Sequence, residues 1–401
     1  MQSHYFIDFI KEFWEKKRAA IIDRLRAKDS VVALADGRMD SPGHTAQYCT
    51  YTTMENESKD IISVVTVDKR QTNRNSVIME KHAFIQTFDS LLENLNITEI
   101  VTDAHMQIAA LMDPKKGRYK DKGVLHSLGI WHAAKNLTKK LHAAGIQKGY
   151  SIILVWLRDI VNQFWYICQK AEHRDMFNDM WVGVLYHVTG KHEWTRGKCD
   201  HGPLDEATRD KELMVPGSAP HEALQRVMFN RRWLKDVAKY LTFRSTSELK
   251  SFQNCILMYA GKRFAFSPPV YEARCLLAAL DYNHHNHRPD YIGRNNEKSY
   301  KRLYSKKSHN YRVQAVKVAK DYGYIPELQR CILRKRMDGG ALPRKAKHRP
   351  GDPRHLGNLA GVVPPPNGRT GPDTDSQRTG LSYMKQEKRE DKTCLFSKHF
   401  Y

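Results

Sequence analysis

Two aspartates stand where a chain could use them against a phosphate ester. Asp36 closes the apolar run Val31-Val32-Ala33-Leu34-Ala35, and Asp103 closes Glu99-Ile100-Val101-Thr102. Each run reads as a buried strand, so each carboxylate is expected at a strand end, on the edge of a sheet. Two such carboxylates side by side form an oxygen site for a hard cation, Mg2+ or Mn2+. Two such ions can activate water and stabilise the leaving oxygen in phosphodiester cleavage. Asp40 follows in the same segment, Asp36-Gly37-Arg38-Met39-Asp40-Ser41-Pro42-Gly43-His44, whose glycine and proline hold a tight turn. It is a further candidate metal ligand. On type and spacing alone, the aspartates serve equally well as caps of helices or turns. His132, in Ile130-Trp131-His132-Ala133-Ala134-Lys135, begins a helix and can orient a carboxylate or a phosphate, or simply be a satisfied structural histidine.

Other residues carry weaker signals. Cys168, His173, Cys199 and His201 fall in one stretch with Cys199-Asp200-His201 closest, although zinc sites usually show tighter paired spacing. Tyr282-Asn283-His284-His285-Asn286-His287 gathers three histidines, a metal-binding run or a polar loop after a helix. Tyr300–Lys307 (YKRLYSKK) interleaves aromatics with basic residues, which suits base stacking combined with phosphate contacts. Arg334–Arg349 is also basic. A solvated face accounts for either stretch equally. Arg231-Arg232-Trp233-Leu234-Lys235 has the same character, with Trp233 expected in the core.

These side chains sit on a strongly basic chain. Its 401 residues include 66 Lys and Arg against 44 Asp and Glu, a formal net charge of +22. A surplus of that size favours a polyanionic partner, most simply DNA. The seven cysteines are scattered and form no CxxC pair, so neither a zinc ribbon nor a disulfide framework is signalled. A reducing compartment fits best. The opening MQSHYFIDFIKEFWEKKRAA reads as an amphipathic helix, not a signal peptide. The longest apolar run, around Ser151–Leu157, is far short of a membrane span, so no membrane partner is expected.

The elements that must position the aspartates follow from periodicity. A packing helix is predicted within residues 1–29. Strands are predicted at 31–35, 45–54, 61–67 and 99–102, with a helix over 76–95. Three strands, a helix, then a strand beside the first suits an RNase H-like mixed α/β sheet, an order that several α/β folds share. Residues 30–132 would form this sheet half with both acids. From 133 to 245 strand signals stop and helices are predicted at 133–144, 151–170, 174–188 and 219–242, a large helical insertion. A C-terminal helical part of the sheet domain is expected over 246–334, with helices at 248–259 and 269–282. From 335 to 401 the chain holds seven of its prolines, eight of its glycines and 14 Lys/Arg against 7 Asp/Glu. Little there offsets the entropy of folding, and a disordered basic tail is expected.

Taken together, DGRMDSPGHTAQYCTY, TDAH, IWHAAKNLTKKL, HVTGKHEW, RRWLKDVAKYLTFRST and LLAALDYNHH resemble the transposases of the Kolobok superfamily of eukaryotic DNA transposons. The resemblance runs from about residue 30 to 290. It implies an RNase H-like fold, an inserted helical region and a DDE triad that binds two divalent ions. It also implies DNA cleavage at transposon ends, with strand transfer of the freed 3′ hydroxyl. By position Asp36 is the first acid, with Asp40 a close rival, and Asp103 is the second.

The third acid departs from the pattern. Where the family resembles T-G-x-L-E-x-x-H, this chain reads Thr246-Ser247-Glu248-Leu249-Lys250-Ser251-Phe252-Gln253. Lys250 takes the glutamate position and Gln253 the histidine position. Gly129-Ile130-Trp131-His132 stands where the family tends to D-x-x-H. A protonated lysine cannot ligate a cation and repels a second one. Glu248 lies two residues earlier, about 200° around a helix, and is the candidate substitute. The family's upstream zinc module has no counterpart before residue 30, which suggests a truncated copy.

The expectation is therefore a transposon-derived, nuclear, DNA-binding protein with impaired cleavage, self-associating on DNA. The alternatives are an active Mg-dependent transposase or nuclease using Glu248, and a non-catalytic interaction scaffold or remnant. The nuclear assignment rests on the DNA partner and on basic runs such as Arg344–Arg349.

Overall fold

The computed structural model describes residues 6–41, 45–202, 211–306 and 309–338. Among these, two compact units divide the chain: residues 6–283 with 331–338, and residues 284–330. The predicted tail lies, beyond Asp338, outside the described residues.

The first unit is built on a five-stranded sheet of order β3-β2-β1-β4-β5. Its strands are β1 (Val31–Met39), β2 (Tyr48–Glu55), β3 (Ile61–Asp68), β4 (Ile97–Thr102) and β5 (Leu125–Leu128). The first three pair antiparallel, while β4 runs parallel to β1 and β5 parallel to β4. That order and polarity define an RNase H-like sheet. Four strands lie where periodicity predicts them, β1 running on through Gly37 to Met39. The short β5 gave no sequence signal, because four residues are too few for a period to emerge.

Both faces of the sheet are covered, and adjacent residues of β2 show by what. Tyr51 meets Phe84 of helix α2 (Met79–Asn94) edge-on at 5.8 Å. Thr50, facing the opposite way, lies 3.4 Å from the hydroxyl of Tyr271 on helix α10 (Pro268–Asn286). Helix α1 (Ile7–Arg26) is tied to β3 by Arg18 Nε, which donates to the Ile62 carbonyl at 2.6 Å. The buried face of α2 carries Phe84, Phe88 and Leu91 at helical spacing, packed with Tyr51 and Ile100 in the sheet's core.

After the short helix α3 (Met106–Leu111) and β5, the chain turns helical. Helices α4 (Ile130–Gly145), α5 (Ile152–Lys170), α6 (Arg174–His187), α7 (Ala219–Met228) and α8 (Arg231–Asp236) enclose a second core. Its centre is aromatic. Phe164, Phe177, Trp181 and Trp233 touch with centroids 5.4–6.3 Å apart. The predicted helix over 219–242 is instead broken at Asn230, whose side chain accepts from Trp233 N at 3.1 Å and starts α8 afresh. Helix α9 (Ser247–Tyr259) then returns to the sheet, burying Leu249, Phe252 and Ile256 along one stripe. No described helix is long and apolar enough to cross a membrane.

The second unit contains an antiparallel hairpin that periodicity did not reveal, β8 (Tyr300–Ser305) with β9 (Asn310–Ala315); the two-residue strands β6 (Glu193–Trp194) and β7 (Gly197–Lys198) precede it in the first unit. Basic residues interrupt both strands of β8–β9, which masks their alternation.

Candidate functional site

Parallel pairing of β1 with β4 sets the site. Leu34 lies opposite Val101, and the same register carried two residues on brings Asp36 level with Asp103. Thr102 in turn faces Leu128 on β5, so Gly129 ends the third adjacent strand at the same edge. Asp36 is buried, with 8% of its surface exposed. Its backbone carbonyl accepts from Thr52 Oγ1 at 3.3 Å and from Gln253 Nε2 at 3.3 Å.

Two side chains, His132 and Lys250, converge on Asp103 and on each other. His132 Nε2 is 2.7 Å from Asp103 Oδ2, Lys250 Nζ is 3.3 Å from the same oxygen, and Lys250 Nζ is 2.6 Å from His132 Nε2. An ammonium has three donors and no lone pair, so Lys250 donates wherever it bonds, and the one ring nitrogen, His132 Nε2, faces both the ammonium and the Asp103 carboxylate. Trp131 backs the arrangement, its ring centroid 5.1 Å from Lys250 Nζ and 4.7 Å from Lys135 Nζ. Lys250 reaches this place because α9 is pinned by Leu249, Phe252 and Ile256, leaving Lys250 and Gln253, three residues apart, to face the strand ends.

A third carboxylate joins from the first turn of α2. Glu80 lies against Gly37, where an added Cβ would come within 2.6 Å of Glu80 Cγ and would make that side chain move. His105 Nε2 stands 3.9 Å from Glu80 Oε2. No sequence pattern marks Glu80; it becomes visible only when α2 crosses the sheet. Burial, then the nearby Asp103 charge, push Asp36 up to about 8. Burial also raises Glu80. Burial would raise Asp103 too, but His132 and Lys250 more than offset it and hold it below the ordinary range.

The other sequence candidates go elsewhere. The Asp40 carboxylate accepts from Gln47 N at 2.9 Å and Tyr48 N at 3.1 Å, holding the β1–β2 turn. Glu248 points away from the aspartates, half-exposed and 3.8 Å from Lys59 Nζ. Cys168 is buried in the helical core, and His173 caps α6 by accepting from Met176 N, so the predicted grouping of these two with Cys199 and His201 does not form. Cys199 and His201 face His187 and His192 instead. In the second unit His285 is buried, its Nε2 2.7 Å from the Asp321 carbonyl, and the three neighbouring histidines do not converge.

Whether Mg2+ or Mn2+ suits Asp36 and Asp103 is decided by Lys250. Asp103 Oδ1 is buried with no hydrogen-bond partner among the described residues, an oxygen whose lone pairs a cation could engage. The ammonium on Oδ2 opposes this. A divalent ion within about 4 Å of it is repelled by roughly 8 kcal/mol at an effective dielectric of about 20. The residues present do not fit a pair of divalent ions.

The strand order and polarity give this chain an RNase H-like fold. No protein-family model matches it, and no curated protein matches it. Solved structures similar to it include the catalytic core domain of HTLV-2 integrase in complex with magnesium. The trimeric form is 18% identical at a TM-score of 0.18, the alignment covering 35% of this chain and 87% of that one. The dimeric form is 14% identical at a TM-score of 0.17, covering 41% and 91% respectively.

Proposed function

We propose that this chain is a DNA-binding protein descended from a Kolobok-type transposase, its nuclease site closed by Lys250. The observation that carries this is the Lys250 ammonium set between Asp103 and His132, at the position where the Kolobok pattern has a glutamate. The other two departures support it by their location. Gln253 binds the Asp36 carbonyl, and a Cβ on Gly129 would lie 3.7 Å from Asp103 Oδ1. All three changes therefore meet at one point in space, as loss of one function would leave them. The partner is DNA, the compartment the nucleus, and the protein self-associates on its DNA. Light scattering of the chain with a bound duplex tests that last point; a strict monomer counts against it.

The hairpin of the second unit supplies a nucleic-acid surface on this reading. Cross-strand register puts Tyr300, Arg302, Tyr304, Tyr311 and Val313 on one face. All five are exposed, and Tyr304 and Tyr311 pair at 5.1 Å. Exposed tyrosines beside arginine offer stacking for bases and charge for phosphates.

The test is Mn2+-dependent nicking of supercoiled DNA by the protein as it stands, by Lys250→Glu, by Lys250→Glu with Gly129→Asp, and by Lys250→Glu with Asp103→Ala. Silence from the parent and nicking by a Lys250→Glu form, abolished by Asp103→Ala, is the expected outcome. Nicking by the parent that Asp103→Ala removes would overturn the closed-site reading and make Glu248→Ala the next variant. A second readout needs no turnover: the melting temperature of Lys250→Glu should fall without metal and recover with Mn2+, while the parent's does not respond.

A further inference from the structure

Between α6 and α7 the chain makes a small construction that the acid-bearing edge does not use. Helix α6 ends at His187, and Gly190, with φ of +80°, lets the chain double back over that last turn. It then forms the hairpin β6–β7, where Glu193 pairs with Lys198 and Trp194 with Gly197. Cys199 N donates to the His192 carbonyl at 2.8 Å, extending the ladder so that His192 and Cys199 stand opposite each other.

The hairpin is fixed onto α6 by its own side chains. Trp194 lies on Gly183, where a Cβ would come within 2.4 Å of the indole, and its Nε1 donates to the Asp179 carbonyl at 3.0 Å. Arg196 pairs with the Asp179 carboxylate at 3.1 Å. Asp200, between Cys199 and His201, is held by Lys170 and by the Tyr166 hydroxyl, each at 2.9 Å. Helix, hairpin and exit strand are thus all anchored, and four soft or borderline donors converge inside. Their ligand atoms all lie within 4.8 Å of one another. His187 Nδ1 is 3.4 Å from Cys199 Sγ. The three imidazoles are 4.8–5.2 Å apart by centroid and close to mutually perpendicular.

We propose that His187, His192, Cys199 and His201 form a structural zinc site. The donor set, three imidazoles and one thiolate, is that of borderline-soft Zn2+ and foreign to Mg2+. Tetrahedral zinc takes nitrogen at about 2.0–2.1 Å and sulfur at about 2.3 Å, which sets donors roughly 3.3–3.8 Å apart. The His187–Cys199 pair already meets that spacing, and the widest pair closes by about 1 Å. Four protein ligands complete the coordination, so the ion clips the hairpin to α6 and activates no water. Three of the four, His187, Cys199 and His201, line an open cavity of about 730 Å³, which gives the ion an entry path. The hairpin strands are two residues each and largely exposed, too small to bury a core of their own, and a metal supplies what hydrophobic area cannot.

The experiment titrates the full chain, stripped of metal, with Co2+ as a spectroscopic stand-in for zinc. One equivalent should give intense tetrahedral d–d bands and a thiolate-to-cobalt charge-transfer band, and Zn2+ should displace both. Cys199→Ser, nearly isosteric, should lose the charge-transfer band while keeping its far-ultraviolet circular dichroism. His192→Ala and His201→Ala should weaken binding at least tenfold, and Cys168→Ser should leave the spectrum unchanged. Absence of tetrahedral bands at one equivalent overturns the site, and so does a spectrum indifferent to Cys199→Ser.

Discussion

Asp36 is a carboxyl held in a place that favours its neutral form. Its folded-state value of about 8 stands above the ordinary value of 3.8, so between those limits the folded chain holds a proton that the unfolded chain has released. Stability therefore falls as pH rises through that window. Asp36→Asn removes the penalty: the variant and the parent should melt together near pH 4 and diverge progressively toward pH 8, with the variant higher. Each kcal/mol is worth about 2–4 °C in a protein of this size class. Equal melting curves at both pH values would show that Asp36 ionises freely. Asp103 works in the opposite sense. Its lowered value gives stability above the ordinary carboxylate range that is lost as pH falls through the folded value.

At the scale of elements, two hairpins depend on side chains and not on length. The β6–β7 hairpin rests on α6 through Trp194 over Gly183. Gly183→Ala puts a methyl where the indole ring lies, and overpacking of this kind costs about 1–3 kcal/mol. The expected result is an undocked hairpin cut by trypsin after Arg196 or Lys198 markedly faster than in the parent; unchanged digestion would show that the indole yields without loss. The β8–β9 hairpin is predicted to act through its tyrosines. Tyr304→Ala with Tyr311→Ala should weaken single-stranded DNA binding by about 1–3 kcal/mol for each base that loses its stacking partner. Unchanged affinity in filter binding would move the DNA surface elsewhere on the chain.

Over the whole molecule the dominant quantity is charge. A net +22 predicts that affinity for DNA falls linearly in a plot of log K against log salt, with a slope of about −0.9 for each phosphate neutralised on duplex. A flat plot would remove DNA as the partner and favour a protein-interaction scaffold. The same charge bears on the acid edge. Three carboxyls gathered at a sheet edge would repel one another, and here the Lys250 ammonium stands beside Asp103.

By itself the sequence determined the sheet and its acids. The apolar runs that lead into Asp36 and Asp103 follow from local periodicity, although β1 does not end at Asp36 but runs on to Met39 through its pairing with β2. On the proposed Kolobok resemblance the sequence also marks Lys250 and Gly129 as departures, because a motif is read by position. What only the tertiary structure decided is which groups meet. Glu80 reaches Gly37, next to Asp36, by a helix crossing, and Asp40 is consumed by two backbone amides eight residues on at most. Cys199 finds His187 and His192, and not Cys168, because Gly190 reverses the chain and Trp194 fixes a hairpin too short to show a period. Ligand sets of this kind are long-range in geometry though short in sequence, and spacing alone cannot say which way a turn will fold them.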